Sequence, residues 1–298
     1  MIDITINITD YITIEQITNE FNKINNKREE YTLNLVLYKF VQPETLAVIV
    51  SLYKYKISEE YTISIIIKNS NSYAERLDFY KHLNKETVVN NYRYSSEGRF
   101  VEITNFDNTN SIELVNEVMK IFRNNLELEE SVFKMLNYCF FEVVDNVQNH
   151  ADSNIGGFLV AQRYPTGRKL CISIIDCGKG IYRSLTENDK SEYSNLTEEE
   201  AISYCIRESV TNGKGMGNGL YHTTRFIELN DGKLMIYSGN KKLIIENNEK
   251  EIRDIPYFNG TIVSLQIEMD NEVRLEDIFG ENIPVSVDEA EDMVFDLW

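Results

Sequence analysis

The chain has 298 residues and a formal charge of −18 at pH 7, from 30 Lys and Arg against 48 Asp and Glu. That charge repels a phosphate backbone, so nucleic acid is disfavoured as a partner unless a local basic surface exists. There is no long apolar run and no basic-then-apolar leader, and the 4 cysteines lack a CxxC spacing; the expectation is a cytoplasmic protein with reduced thiols, neither membrane-spanning nor built on disulfides.

In chain order, Ile2 to Ile8 alternates apolar and polar residues as a strand does, and Thr13 to Ile24 has helical spacing. Tyr31 to Leu37 predicts a second strand. Pro43 opens a helix that runs through Lys54, Tyr61 to Ile67 predicts a third strand, and Ser72 caps a helix to Leu83 with Leu77, Tyr80 and Leu83 on one face. Residues 1–92 therefore read as an α/β domain. Asn84 to Gly98 is polar and reads as a linker.

A second domain is expected over 97–268. Arg99 to Thr104 predicts its first strand, Ser111 to Leu126 a helix, and the apolar run from near Val132 a long helix ending at His150. Phe158 to Ala161 and Leu170 to Ile175 predict buried strands joined by a Pro165-Thr-Gly167 turn. Tyr182 to Asn212 is a polar connection around one short helix, Glu198 to Glu208. Gly232 to Gly239 and Lys242 to Glu246 read as a hairpin, and Tyr257 to Ile267 as a late core strand. Residues 269–298 form a tail in which Asn271 to Trp298 holds nine acidic residues and one basic one. It reads as an acidic tail or a terminal helix packed on its own chain; the alternative is a docking peptide presenting Phe295, Leu297 and Trp298.

Three stretches carry chemistry. Glu142, Asn146 and His150 recur at i, i+4 and i+8, which lines a carboxylate, a carboxamide and an imidazole along one helix face, flanked by Asp145 and Asn149. Val132, Leu136, Cys139, Val143 and Val147 form the neighbouring apolar stripe, so one side packs while the other is free to face a pocket or solvent. Ile174-Ile-Asp-Cys-Gly-Lys-Gly-Ile181 is an apolar strand that ends in Asp176, followed by Gly178 and Gly180. Gly213-Lys-Gly-Met-Gly-Asn-Gly219 alternates glycines ahead of a helical pattern, and its bare amides suit an anion, with Lys214 adding a full charge. Neither glycine stretch fits GxxxxGK[ST] or GxGxxG.

In this order the three stretches resemble the N, G1 and G2 boxes of the GHKL superfamily, the ATP-binding α/β sandwich of gyrase, Hsp90, histidine kinases and MutL. Within it the chain is most similar to the anti-sigma-factor serine kinases. The resemblance implies ATP and Mg²⁺ as cofactors, Glu142 as general base and Asn146 as Mg²⁺ ligand. It implies Asp176 as adenine reader supported by Thr261, Gly178 and Gly180 beside the base, and Lys214, Gly215, Gly217 and Gly219 around the phosphates. His150 is read as structural support. Tyr182 to Asn212 falls where the superfamily has its mobile lid. The first domain resembles the STAS-like fold of anti-sigma-factor antagonists across Leu35 to Ile49, with Gln42-Pro-Glu-Thr45 where antagonists carry a phosphorylatable serine. Glu44 then either imitates a phosphorylated state or favours the helix N-terminus through the dipole, the second reading being preferred.

The expected fold is thus α/β, a STAS-like domain followed by a GHKL sandwich. Three functions stay open: a serine/threonine kinase acting on a STAS-like or other regulatory protein, an ATP-hydrolysing switch, and a nucleotide-gated binding module. A homodimer is compatible with all three. Histidine autokinase activity is disfavoured, because His82, His150 and His222 lack the acidic context of a phosphoacceptor.

Overall fold

The computed structural model of the chain describes residues 1–85, 100–125, 129–188, 191–211, 218–280 and 283. Its first half is strand and helix in alternation: β1 (Ile2–Ile8), α1 (Ile14–Asn22), β2 (Glu30–Leu37), α2 (Pro43–Ser58) and β3 (Thr62–Lys68). The strands form a parallel sheet in the order β1-β2-β3. Every second residue of β1, namely Ile4, Ile6 and Ile8, is buried, so one face of this sheet is packed and the other is largely open. Thr13 starts α1 through a reciprocal cap with Gln16.

Helix α2 differs from an ordinary surface helix. Thr45 through Tyr53 are all buried, with apolar residues on every side of the axis. A helix that is hydrophobic all round must be enclosed all round. It is enclosed here between the three-stranded sheet and a second sheet, whose outer-face residues Phe158, Val160, Ile175 and Ile262 share one core with Ile6, Leu33, Leu46 and Ile49.

The predicted helix from Ser72 to Leu83 is instead two short ones, α3 (Ser72–Arg76) and α4 (Phe79–His82), broken at Asp78, whose φ is 59°. The cap is Asn71, which accepts from the amides of Tyr73 and Ala74 at 2.9 and 3.0 Å. The break buries Leu77, Phe79, Tyr80 and Leu83 together, which a straight helix holds on one face only in part. It also frees the Leu77 carbonyl to accept from the Ile103 amide at 3.1 Å, joining this segment to the second sheet. Most of the expected linker lies outside the described residues.

The second half contains β4 (Phe100–Phe106), α5 (Ser111–Asn125), α6 (Glu130–His150), β5 (Gly157–Tyr164), β6 (Lys169–Asp176), α7 (Gly180–Thr186), α8 (Glu198–Tyr204), α9 (Gly219–Leu229), β7 (Lys233–Glu246), β8 (Glu249–Glu268) and α10 (Leu275–Phe279). The strands form an antiparallel sheet, order β4-β5-β6-β8-β7. Leu159, Ile172, Ile174, Val263 and Leu265 point from its inner face into a second core with α5, α6 and α9. The layers run sheet, helices, sheet, helices, a mixed α/β architecture.

Two expectations change here. The stretch read as a hairpin within Gly232 to Glu246 is one strand, because Gly239 (φ 59°) forms a bulge and the turn comes later at Asn247-Asn248, with φ of 54° and 60°. The Tyr182 to Asn212 connection carries two helices rather than one, since α7 starts at Gly180 and extends into it. In the tail, α10 packs Ile278 and Phe279 back on the chain, while Phe295, Leu297 and Trp298 lie outside the described residues. No described helix is long and apolar enough to cross a membrane.

Glu44, in the first turn of α2, points at the second sheet. The Ser173 hydroxyl donates to it at 3.1 Å, the Ser264 hydroxyl also donates to it, and the two hydroxyls are 3.1 Å apart. Ser173 and Ser264 are register partners on β6 and β8. Burial pushes the Glu44 carboxyl up to about 7; the Ser173 bond and Lys242 pull it down, and Glu15 pushes it up. The folded chain therefore holds this proton more tightly than the unfolded one, and the cost of ionising it appears as pH rises from the ordinary carboxylate range to about 7. Glu44→Gln should match wild type in thermal or urea unfolding at pH 4 and become more stable than it by about 1–3 kcal/mol at pH 8. A constant difference across that range would show that Glu44 is not the group titrating.

Candidate functional site

The site is built at the end of β6. Its last residue, Asp176, is 3% exposed and pairs in register with Thr261 of β8. The Gly178 amide donates to Asp176 Oδ1 at 2.8 Å, and Thr261 stands opposite on β8, where it too favours the ionised carboxyl. Burial pushes this carboxyl up to about 7 against the pull of those two residues. Asp176 is thus a carboxyl group held in an apolar strand end, on the wall of a cavity.

The turn after β6 is clamped by close backbone approach. A Cβ on Gly178 would stand 2.0 Å from the Ala151 carbonyl oxygen, and the next amide, Lys179, donates to that same oxygen at 2.8 Å. This ties the strand end to the C-terminus of α6. Ser238 of β7 holds the other side: it accepts from the Ile181 amide at 2.9 Å and donates to the Gly260 carbonyl at 3.0 Å.

Against this strand end lies α6, and between them is a cavity of about 350 Å³. Glu142, Asp145, Asn146 and His150 line it from α6, Asp176 and Thr261 from the sheet, Gly180 from the turn, and Gly219 from the start of α9. Part of the wall, including Ser184, Leu185, Val210 and Thr211, comes from the Tyr182 to Asn212 connection. Of the sequence-derived residues, Glu142, Asn146, Asp176, Gly180, Gly219 and Thr261 meet here. Gly178 is not on the wall, because its missing side chain makes room for the chain's own Ala151 carbonyl. Lys214, Gly215 and Gly217 lie outside the described residues.

Glu142 is half-buried. Burial pushes its carboxyl up, a hydrogen bond from Tyr138 pulls it down, and Asp145 pushes it up. A Cβ on Gly219 would fall 2.3 Å from Glu142 Oε2, so at this position glycine lets the start of α9 seat against the carboxylate. Among the described lining residues there are three carboxylates, Glu142, Asp145 and Asp176, and no Lys or Arg.

Two contributors were not picked out from the sequence. Tyr138 stands one turn before Glu142, so the i, i+4 series starts at 138; an aromatic residue on an apolar helix hides that. Ser238 had no sequence signal, since a serine in a strand acquires its partners only from the strand and turn that the fold places beside it.

Compared with models of the known protein families and with the curated proteins, the chain matches none.

Gly178→Ala should cost about 1–3 kcal/mol in denaturant unfolding and shift the β6–α7 turn, because the added methyl has no space before Ala151. Wild-type stability in that variant would mean the turn is not clamped.

Proposed function

We propose that the chain is a Mg-ATP-binding regulatory protein of the GHKL type, an anti-sigma-like serine/threonine kinase that acts on a STAS-like partner. The observation that carries this reading is the convergence of Asp176, at a strand end, with Glu142 and Asn146, on a helix face, around one cavity.

The residues fit the implied groups. Asp176 is a buried carboxylate that accepts from the Gly178 amide, and it accepts a further hydrogen bond from the exocyclic amine of adenine; guanine offers a carbonyl at that place. Asn146 offers one neutral oxygen, enough for an ion that keeps several waters and bridges substrate phosphates. With three carboxylates and no described cation on its wall, the cavity suits an anionic nucleotide only together with a metal ion. Mg²⁺, when bound, supplies the charge that neutralises the phosphates. The protein's own work is to orient the base through Asp176 and Thr261 and to take a proton on Glu142, whose raised carboxyl is poised for it.

A second reading, hydrolysis that drives a change of assembly, is favoured by the place of Glu44. That residue faces the outer side of the sheet, in the core opposite the one containing α6. The Gln42 to Thr45 turn therefore does not stand beside Glu142, and the proton on Glu142 comes from a separate protein's hydroxyl or from water.

Asp176→Asn should weaken ATP binding by about 1.5–3 kcal/mol and erase the preference for ATP over GTP in calorimetric titration. In wild type, binding should weaken as pH falls below about 7, because the protonated Asp176 loses an acceptor. Unchanged affinity and selectivity would remove Asp176 from the site. Glu142→Ala should still bind nucleotide while turnover falls about 10²- to 10⁴-fold. Radiolabel arriving on a partner protein marks the kinase, and free labelled phosphate marks the switch; normal turnover without Glu142 would falsify both.

A further inference from the structure

Behind Glu142 the fold assembles a line of side chains from three elements. Tyr138 lies one turn before Glu142 on α6, near enough for its hydroxyl to pull the Glu142 carboxyl down. The same hydroxyl is 3.0 Å from Nδ1 of His222 on α9. His222 is in turn packed by Phe279 of α10, at 4.6 Å between ring centroids, and Phe279 meets Tyr138 edge-on at 5.4 Å. Helix α9 thus touches Glu142 twice, directly at Gly219 and through Tyr138 from His222.

A tyrosine hydroxyl has one proton to give. Given to the ionised Glu142 carboxylate, that proton leaves the hydroxyl oxygen to receive from His222, which requires the tautomer with hydrogen on Nδ1; given to Nδ1 instead, it leaves Glu142 without the contact. Phe279 and Tyr221, whose ring is 5.3 Å from that of His222, hold the imidazole plane. We infer that His222, acting through Tyr138, is a positioning residue for Glu142, fixing the direction of its carboxylate from the helix that follows the glycine stretch.

The charged and titratable groups around the line are Glu142 and Asp145 on α6, Cys139 beside them, and Glu208 after α8. Burial holds the imidazole below its usual range, with Glu208 opposing that, so His222 is neutral at pH 7.5 and its tautomer is set by Tyr138. The inference rests on the reading of Glu142 as a base, but its first test needs no nucleotide.

In the ligand-free full chain, nitrogen chemical shifts of labelled imidazole at pH 7.5 should place the His222 proton on Nδ1. They should show it moving toward Nε2 in Tyr138→Phe, which has no hydroxyl to receive it, and in Glu142→Ala. The same tautomer in all three proteins overturns the inference.

Turnover then separates positioning from mere packing. His222→Asn presents an amide N–H near the place of Nδ1–H and should stay within about threefold of wild type, whereas His222→Leu, similar in bulk, should lose about tenfold in kcat with KM unchanged. Equal kcat in the two variants, or a change confined to KM, also overturns it. If wild type shows no ATP turnover while the tautomer responds as expected, the nucleotide reading fails and the Glu142–Tyr138–His222 line stands.

Discussion

The five-stranded sheet is buried on both faces, and the rest of the molecule depends on that. An antiparallel sheet commonly leaves one face to solvent; here α1 and α2 cover the outer face while α5, α6 and α9 cover the inner one. The enclosed strands β6 and β8 sit in the interior of the order β4-β5-β6-β8-β7. Side chains locked from both sides give Asp176 a fixed position at the end of β6 and Thr261 one opposite it within β8. A helix that is apolar all round makes this arrangement necessary, since α2 on an open surface would expose Val48, Ile49 or Leu52.

The seam between the halves nevertheless contains a polar knot, and its chemistry parallels that of the cavity. Glu44 with Ser173 and Ser264, and Asp176 with Gly178 and Thr261, are both carboxylates brought into a low-dielectric environment and satisfied by local donors. Both are pushed up to about 7 by burial. Ser173 is three residues before Asp176 on β6, and Ser264 three after Thr261 on β8. The two sites thus share a pair of strands while standing on opposite faces. Both carboxyls border a cavity, Glu44 one of about 220 Å³ on the outer face and Asp176 one of about 350 Å³ on the inner; only the inner one is also lined by the helix face carrying Glu142 and Asn146, which is why it is the binding candidate.

Close approach of main chains explains more of the site's shape than the side chains do. The turn after β6 sits on the last turn of α6 because Gly178 has no Cβ to strike Ala151, and α9 meets α6 because Gly219 has none to strike Glu142. Those two approaches bring a strand end, a helix face and a helix start to one cavity. They also make α9 the neighbour of Glu142 along its length, so that Gly219, Tyr138 and His222 form one environment for the carboxylate.

Much of this was legible locally. The boundaries of β1, the Pro43 start of α2, the helix carrying Glu142 and Asn146, and the strand ending at Asp176 all follow from period, cap and turn chemistry acting between near neighbours. Where the sequence misled, a distant contact had won: burial against β4 broke the Ser72 to Leu83 helix, and the long β7–β8 ladder turned Gly239 from a turn into a bulge. The sequence by itself determined which segments are strands or helices and which residue types could carry chemistry, because those depend on spacing along one element. Only the tertiary structure decided that Glu44 faces a sheet, that Gly178 serves a carbonyl, and that Tyr138 and His222 stand behind Glu142. Each of those facts is a meeting of residues far apart in the chain, and no periodicity encodes which surface an element will find.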